Sequence, residues 1–130
     1  MDNNTEPKTN RPSFREAIRR AEEQVEYNSY FAGGENLKRQ LEHERVHEIC
    51  AIMAEIYMMD PARQVRISGE WIDVYVVQEV FSEISYAHVE QVLEDFSRLC
   101  CDIKNKKAYL RAMLYNSVFS LRMGDSLSNV

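Results

Sequence analysis

The run from Asn36 to Met58 constrains this chain more than any other stretch. Leu37, Leu41, Val46, Ile49, Cys50, Met53, Ile56 and Tyr57 recur at the helical period, and Asp60-Pro61 ends the pattern. Proline lacks an amide donor and pushes the residue before it out of the helical region, so the stop is a physical one. A long helix with an apolar face is stable in water only when other elements cover that face. The stretch therefore predicts the central helix of a mainly α domain. At 130 residues the chain is long enough for one such domain with one core.

The other segments read as its cover. Met1–Pro12 is polar, carries two prolines and has no apolar face, and is expected to be a disordered tail. Ser13-Phe14-Arg15-Glu16 has the form of a capping box, and Phe14, Ile18, Ala21, Val25 and Tyr27 give the stripe of a first helix running to about Tyr30, ended by Gly33-Gly34. In Gln64–Asp73 the period changes. Val65, Ile67 and Trp71 bracket Ser68-Gly69-Glu70, which predicts a short β-hairpin with Trp71 as a lid on the core. Asp73 can cap a third helix from Val74 to about Ser82, with Val76, Val77, Val80 and Phe81 inward. Ser85 can cap a fourth from Tyr86 to about Cys101, burying Val89, Val92, Leu93, Phe96 and Cys100, with His88 as a half-buried packing residue. Beyond Phe119 the pattern is lost. The expected organisation is a tail at 1–12, a compact five-helix domain with a short hairpin at 13–119, and a frayed tail at 120–130.

The fifth helix carries the candidate site. In Ile103–Asn116 the Asn105 side chain can accept an amide of the first turn, and Tyr109, Leu110, Met113 and Leu114 form one apolar face. Lys104, Lys106, Lys107 and Arg111 surround the same helix start, in a chain whose formal net charge is −5. Cations at a helix N-terminus oppose the macrodipole, so a cluster there points to a phosphate or acidic partner, unless it is an ordinary solvated face. Lys104, Lys106, Lys107, Tyr109, Arg111, Tyr115 and Asn116 are thus the candidate nucleic-acid or partner-binding residues. Overall acidity argues against a general nucleic-acid coat and leaves a local basic patch.

His43-Glu44-Arg45-Val46-His47 matches the H-E-x-x-H pattern, in which two imidazoles one helical turn apart hold zinc and the Glu acts on a metal-bound water. Its flanks, Gln40, Glu42, Arg45 and Glu48, have a surface composition, and no later segment supplies a convincing third ligand. A solvated or edge-of-core His pair is the better reading. No phosphate-binding glycine motif and no Ser–His–Asp or Cys–His constellation can be assembled, so neither an enzymatic activity nor a cofactor or metal is expected. The three cysteines, two of them vicinal, do not make a disulfide framework. With no bilayer-spanning apolar run and no signal-peptide pattern, a cytoplasmic location without membrane contact is expected.

Several short matches, in order and spacing, resemble one known domain. They are Val25-Glu26-Tyr27, Glu48-Ile49, Ile52-Met53-Ala54-Glu55, Val65-Arg66-Ile67-Ser68-Gly69-Glu70, Val76-Val77, Phe81, His88-Val89 and Val92-Leu93. Ile103-Lys104-Asn105-Lys106-Lys107-Ala108-Tyr109-Leu110 and Leu114-Tyr115-Asn116 complete the set. The succession resembles the C-terminal domain of replication initiator protein A, carried by plasmids and integrative conjugative elements of Firmicutes. The likeness covers Phe14 to Asn116. It implies a DnaD-like helical module that contacts other replication proteins and sometimes DNA. That domain usually has a Pro near Asp73, basic residues where Gln78 and Val80 stand, an apolar residue at Lys106 and Ala-Pro at Ser117-Val118. These departures would move any basic surface toward the fifth helix. With Met1 as the start, the winged-helix domain that normally precedes the module is missing, which implies a stand-alone module.

Three functional readings follow. The first is an interaction module of mobile-element DNA replication, docking on a helicase, primase or initiator. The second is weak direct nucleic-acid binding through the basic fifth helix, with Tyr109 or Tyr115 available for base stacking. The remote third is a zinc metallopeptidase using His43 and His47.

Overall fold

Ser13 opens the first helix through two reciprocal bonds: Glu16 N–H donates to Ser13 Oγ at 3.2 Å, and Ser13 N–H donates to Glu16 Oε1 at 2.9 Å. A computed structural model describes this element and the rest of residues 11–28, 37–99 and 103–128. The fold is mainly α, with five helices and a two-stranded antiparallel hairpin among the described residues. In chain order these are α1 (Phe14–Gln24), α2 (Leu37–Met58), β1 (Gln64–Ile67), β2 (Glu70–Asp73), α3 (Val74–Phe81), α4 (Tyr86–Ser97) and α5 (Lys106–Ser128).

α2 is the central helix, in contact with α1, α3, α4 and α5. Its second half is enclosed on nearly every side: Ile49, Cys50, Ile52, Met53, Ala54, Ile56 and Tyr57 are all buried. α1 lies on it through the small side chains of Ala17 and Ala21, with Val25 just past its end also fully buried. α1 is shorter than its apolar stripe predicts. It ends at Gln24, and Glu26 takes the left-handed conformation at φ 57°, so the chain turns before Tyr27. Gly33-Gly34, Cys100, Cys101 and most of the N-terminal tail lie outside the described residues. Phe14 is half-exposed rather than core, because a side chain on the first helical residue leans past the helix end, where no earlier turn supports it.

After α2, Asp60 Oδ1 accepts from Ala62 N–H at 2.9 Å and shapes the turn into the hairpin. The register pairs Val65 with Ile72 and Arg66 with Trp71. Ser68 at φ 54° and Gly69 at φ 82° form the tight turn; two positive φ values in succession match the twist of the strands. Val65 and Ile67 face the core, so alternation sends Arg66 and its partner Trp71 to the outer face. Trp71 is accordingly 61% exposed and is not a lid on the core.

Asp73 stands at the N-cap of α3, but its carboxylate accepts from Gln64 Nε2 at 3.1 Å instead of capping the helix. α3 buries Val74, Val77, Val80 and Phe81, while Val76 is half-buried. Ile84, in the loop that follows, is also core. α4 stops at Ser97, short of the expected Cys101, and buries Val89 and Val92 with Leu93 and Phe96 only half-covered. His88 has a specific task there: its Nδ1 accepts from Ser85 N–H at 2.9 Å, taking the place that Glu or Gln fills in the usual capping box. Asn105 caps α5 as its position predicts, accepting from Ala108 N–H at 3.0 Å. α5 then continues to Ser128. It buries Leu110, Leu114, Ser117 and Val118, and a bidentate ion pair from Arg122 to Glu83 ties its later turns to the α3–α4 loop.

Candidate interaction site

The basic residues at the start of α5 meet an acidic edge of α2. Lys107 Nζ lies 2.6 Å from Glu55 Oε2, and Arg111 reaches Glu55 Oε1 at 3.5 Å. Lys106 Nζ is 4.0 Å from Glu48 Oε2. Glu48 and Glu55 stand seven residues apart, two turns of one helical face, so a single edge of α2 serves the whole cluster. Arg111 is the most covered of the four cations, its side chain 17% exposed, and its Nε has no protein partner. Lys104 is exposed. Exposed ion pairs of this kind add little stability each, but they lower the positive potential offered to a phosphate.

The aromatic members of the predicted set are divided. Tyr109 is half-buried with its ring edge-on to Phe96, centroids 6.4 Å apart. Tyr115 is half-buried against Phe119 at 5.2 Å, and Asn116 is exposed. Lys106, Lys107 and Arg111 are therefore brought together by α2, whereas Tyr109 belongs to the packing between α4 and α5. His43 is half-buried and His47 exposed, the ring of His47 being 6.5 Å from that of Tyr27. Among the described residues no group of three or more His, Cys, Asp or Glu is placed to share a metal ion.

A second surface lies between α2 and α4. These helices leave an open groove of about 900 Å³, lined also by Lys106 of α5. Its floor is apolar, from Ala87, Leu93 and Phe96, and its walls carry Glu42, Glu44 and Glu48 from α2 and Glu90 and Glu94 from α4. Phe96 is covered by Arg45, whose guanidinium sits 4.5 Å above the ring and 2.5 Å from Glu48 Oε1. Five carboxylates thus face two cations, both of them engaged with Glu48. Sequence reasoning passed over this groove. The surface composition of Glu42, Arg45 and Glu48 and the apolar face of α4 are each legible in the sequence. Neither pattern shows that the two acidic faces look at each other, because that depends on how α4 crosses α2.

Outside both surfaces, Trp71 and Tyr75 are exposed aromatics, with Arg66 5.7 Å above the Trp71 ring. No helix among the described residues is long and apolar enough to cross a membrane.

The model of a family of unknown function, DUF6017, matches residues 5–124. No curated protein and no solved structure matches the chain.

Proposed function

We propose, for a chain that belongs to the DUF6017 family of unknown function, that it acts in the cytoplasm as a helical interaction module of mobile-element DNA replication. It docks on a replication protein, namely a helicase, primase or initiator. The biological setting rests on the resemblance to the C-terminal domain of replication initiator protein A. The observation that carries the docking role is the groove between α2 and α4, where Ala87 and the half-buried Leu93 and Phe96, the last under Arg45, lie between acidic walls. An open apolar strip with a polar rim is the usual composition of a protein-binding surface.

The state of the α5 cations favours a protein partner over direct nucleic-acid binding. Lys106, Lys107 and Arg111 each face a glutamate of α2, so a phosphate would have to compete with Glu48 and Glu55 for them. The test is titration of the labelled chain with purified helicase, primase and initiator from a host of such an element. One of them binds in the micromolar range or tighter, and Glu90→Lys with Glu94→Lys weakens it. Binding of none of the three, together with tight salt-sensitive binding of single-stranded DNA, would replace this reading by the nucleic-acid one.

A further inference from the structure

Resting on that reading, we infer that the α2–α4 groove receives a basic amphipathic helix of the partner protein. Its apolar face lies on Leu93 and Phe96, and its lysines or arginines lie along the glutamate walls. Three observations converge on this occupant. The first is shape. α4 is 12 residues long, which makes a wall of about 18 Å at the helical rise, the length of three turns of a docked helix. The second is charge. Glu44 and Glu90 are exposed, and the side chains of Glu48 and Glu94, paired with Arg45 and with the exposed Arg98 at 3.6 Å, are 45% and 60% exposed, so carboxylates outnumber cations along both walls where a partner would enter.

The third is that the protein fills the groove in part with its own basic side chains. Arg45 covers Phe96 and binds Glu48, and Lys106 approaches Glu48 at 4.0 Å. A guanidinium lying over the aromatic ring while it pairs with the acidic wall is the arrangement a partner's arginine would adopt. Docking therefore moves Arg45 off Phe96 and exchanges its pairing with Glu48 for one with the incoming cation. Charge is conserved along the wall and the apolar floor is removed from water.

The probe is a labelled synthetic peptide of leucine and lysine, with leucines at i, i+3, i+4 and i+7, titrated into the full chain by fluorescence anisotropy. A peptide with glutamate in place of lysine is the control. The native chain binds the lysine peptide and not the glutamate one. Glu90→Lys with Glu94→Lys weakens binding at least tenfold. Glu70→Lys with Glu79→Lys, an equal change of net charge at exposed positions away from the groove, leaves it within twofold. Unchanged thermal melting establishes that both pairs are folded. Equal loss in the two pairs would reduce the effect to net charge and overturn the inference, as would binding of the glutamate peptide. Sedimentation showing a dimer that the Glu90, Glu94 pair dissolves would also overturn it, assigning the groove to a second copy. If the lysine peptide fails while a replication protein still binds, the inference falls and the docking role remains.

Discussion

The hydroxyl of Tyr57 donates to Gln24 Oε1 at 2.7 Å, joining the last residue of α1 to the buried face of α2. The amide nitrogen of the same glutamine donates to Phe81 O at 2.7 Å and Ile84 O at 2.8 Å. Phe81 O, at the end of α3, also accepts from Ile84 N–H at 3.0 Å and from the Tyr57 hydroxyl at 3.1 Å, so the glutamine joins a shared acceptor there and binds the loop carbonyl of Ile84 beyond it. Gln78 does the same for α2, donating to Ile56 O at 3.0 Å and Met59 O at 3.1 Å. Two helix ends are thus closed by glutamines from neighbouring helices.

Gln24→Ala is expected to cost about 1–3 kcal/mol, since it removes the donor to the Ile84 carbonyl and the nearer acceptor of the Tyr57 hydroxyl, which keeps Phe81 O at 3.1 Å. Gln24→Glu should be no better, because a carboxylate cannot donate to two carbonyls. Tyr57→Phe should cost less, and the double variant less than the sum of the singles, since both remove the same bond. Urea unfolding midpoints measure all three. Additive losses would mean that the two side chains act independently.

The two phenylalanines of α3 and α4 separate burial from periodicity. Phe81 is fully buried, and Phe81→Ala should cost about 3–5 kcal/mol, enough to threaten a domain of ordinary stability. Phe96 is half-covered, by Arg45 above and Tyr109 beside it, and Phe96→Ala should cost well under half as much. Calorimetry on both variants checks this, and an equal fall in melting temperature would contradict the burial seen here.

Phe96 also shows where the sequence was legible and where it was not. Helix starts, the Ser13 and Asn105 caps, the hairpin and the centrality of α2 follow from local rules of period and capping, and they stand as read. Errors arose where a neighbour decides. Phe96 and Trp71 have core-like chemistry, but one lines an open groove and the other lies on the outer face of a hairpin whose inner face is already filled by Val65 and Ile67. α1 ends at Gln24 without a glycine, and α5 outruns its apolar pattern, held at Arg122 by Glu83. Among the candidate site residues the basic cluster was visible in the sequence. Its counter-charges, Glu48 and Glu55, were not, being some fifty residues away along the chain.

Those counter-charges yield a directional test of the basic cluster. Glu48→Gln with Glu55→Gln frees Lys106, Lys107 and Arg111 while leaving the side-chain volumes nearly unchanged. Affinity for single-stranded DNA should rise, and the slope of log K against log salt should steepen by about 0.7 for each phosphate newly contacted. Anisotropy on a labelled single strand across a salt series reads both quantities. A slope that does not move would show that the glutamates do not mask the cluster.

Cys50 sets the last expectation. It is fully buried against α1, and burial, helped by the negative charge of Glu22, pushes its thiol up to about 12 from 9.0. Burial also raises Tyr57 and Tyr27 above 10.0. In each case the folded protein holds a proton that the unfolded chain gives up sooner, so the unfolded state binds fewer protons at high pH. Stability is therefore fully present below about pH 9 and declines as pH climbs from there toward 12. Two measurements follow. Urea midpoints should be level near neutrality and fall above pH 9, with Cys50→Ala losing part of that slope. At pH 8 the peptide containing Cys50 should resist alkylation in the folded protein and react at once in urea, since only the thiolate is nucleophilic and the fold denies both ionisation and access. Rapid alkylation of Cys50 without denaturant would show that the α1–α2 interface opens on the timescale of the reaction.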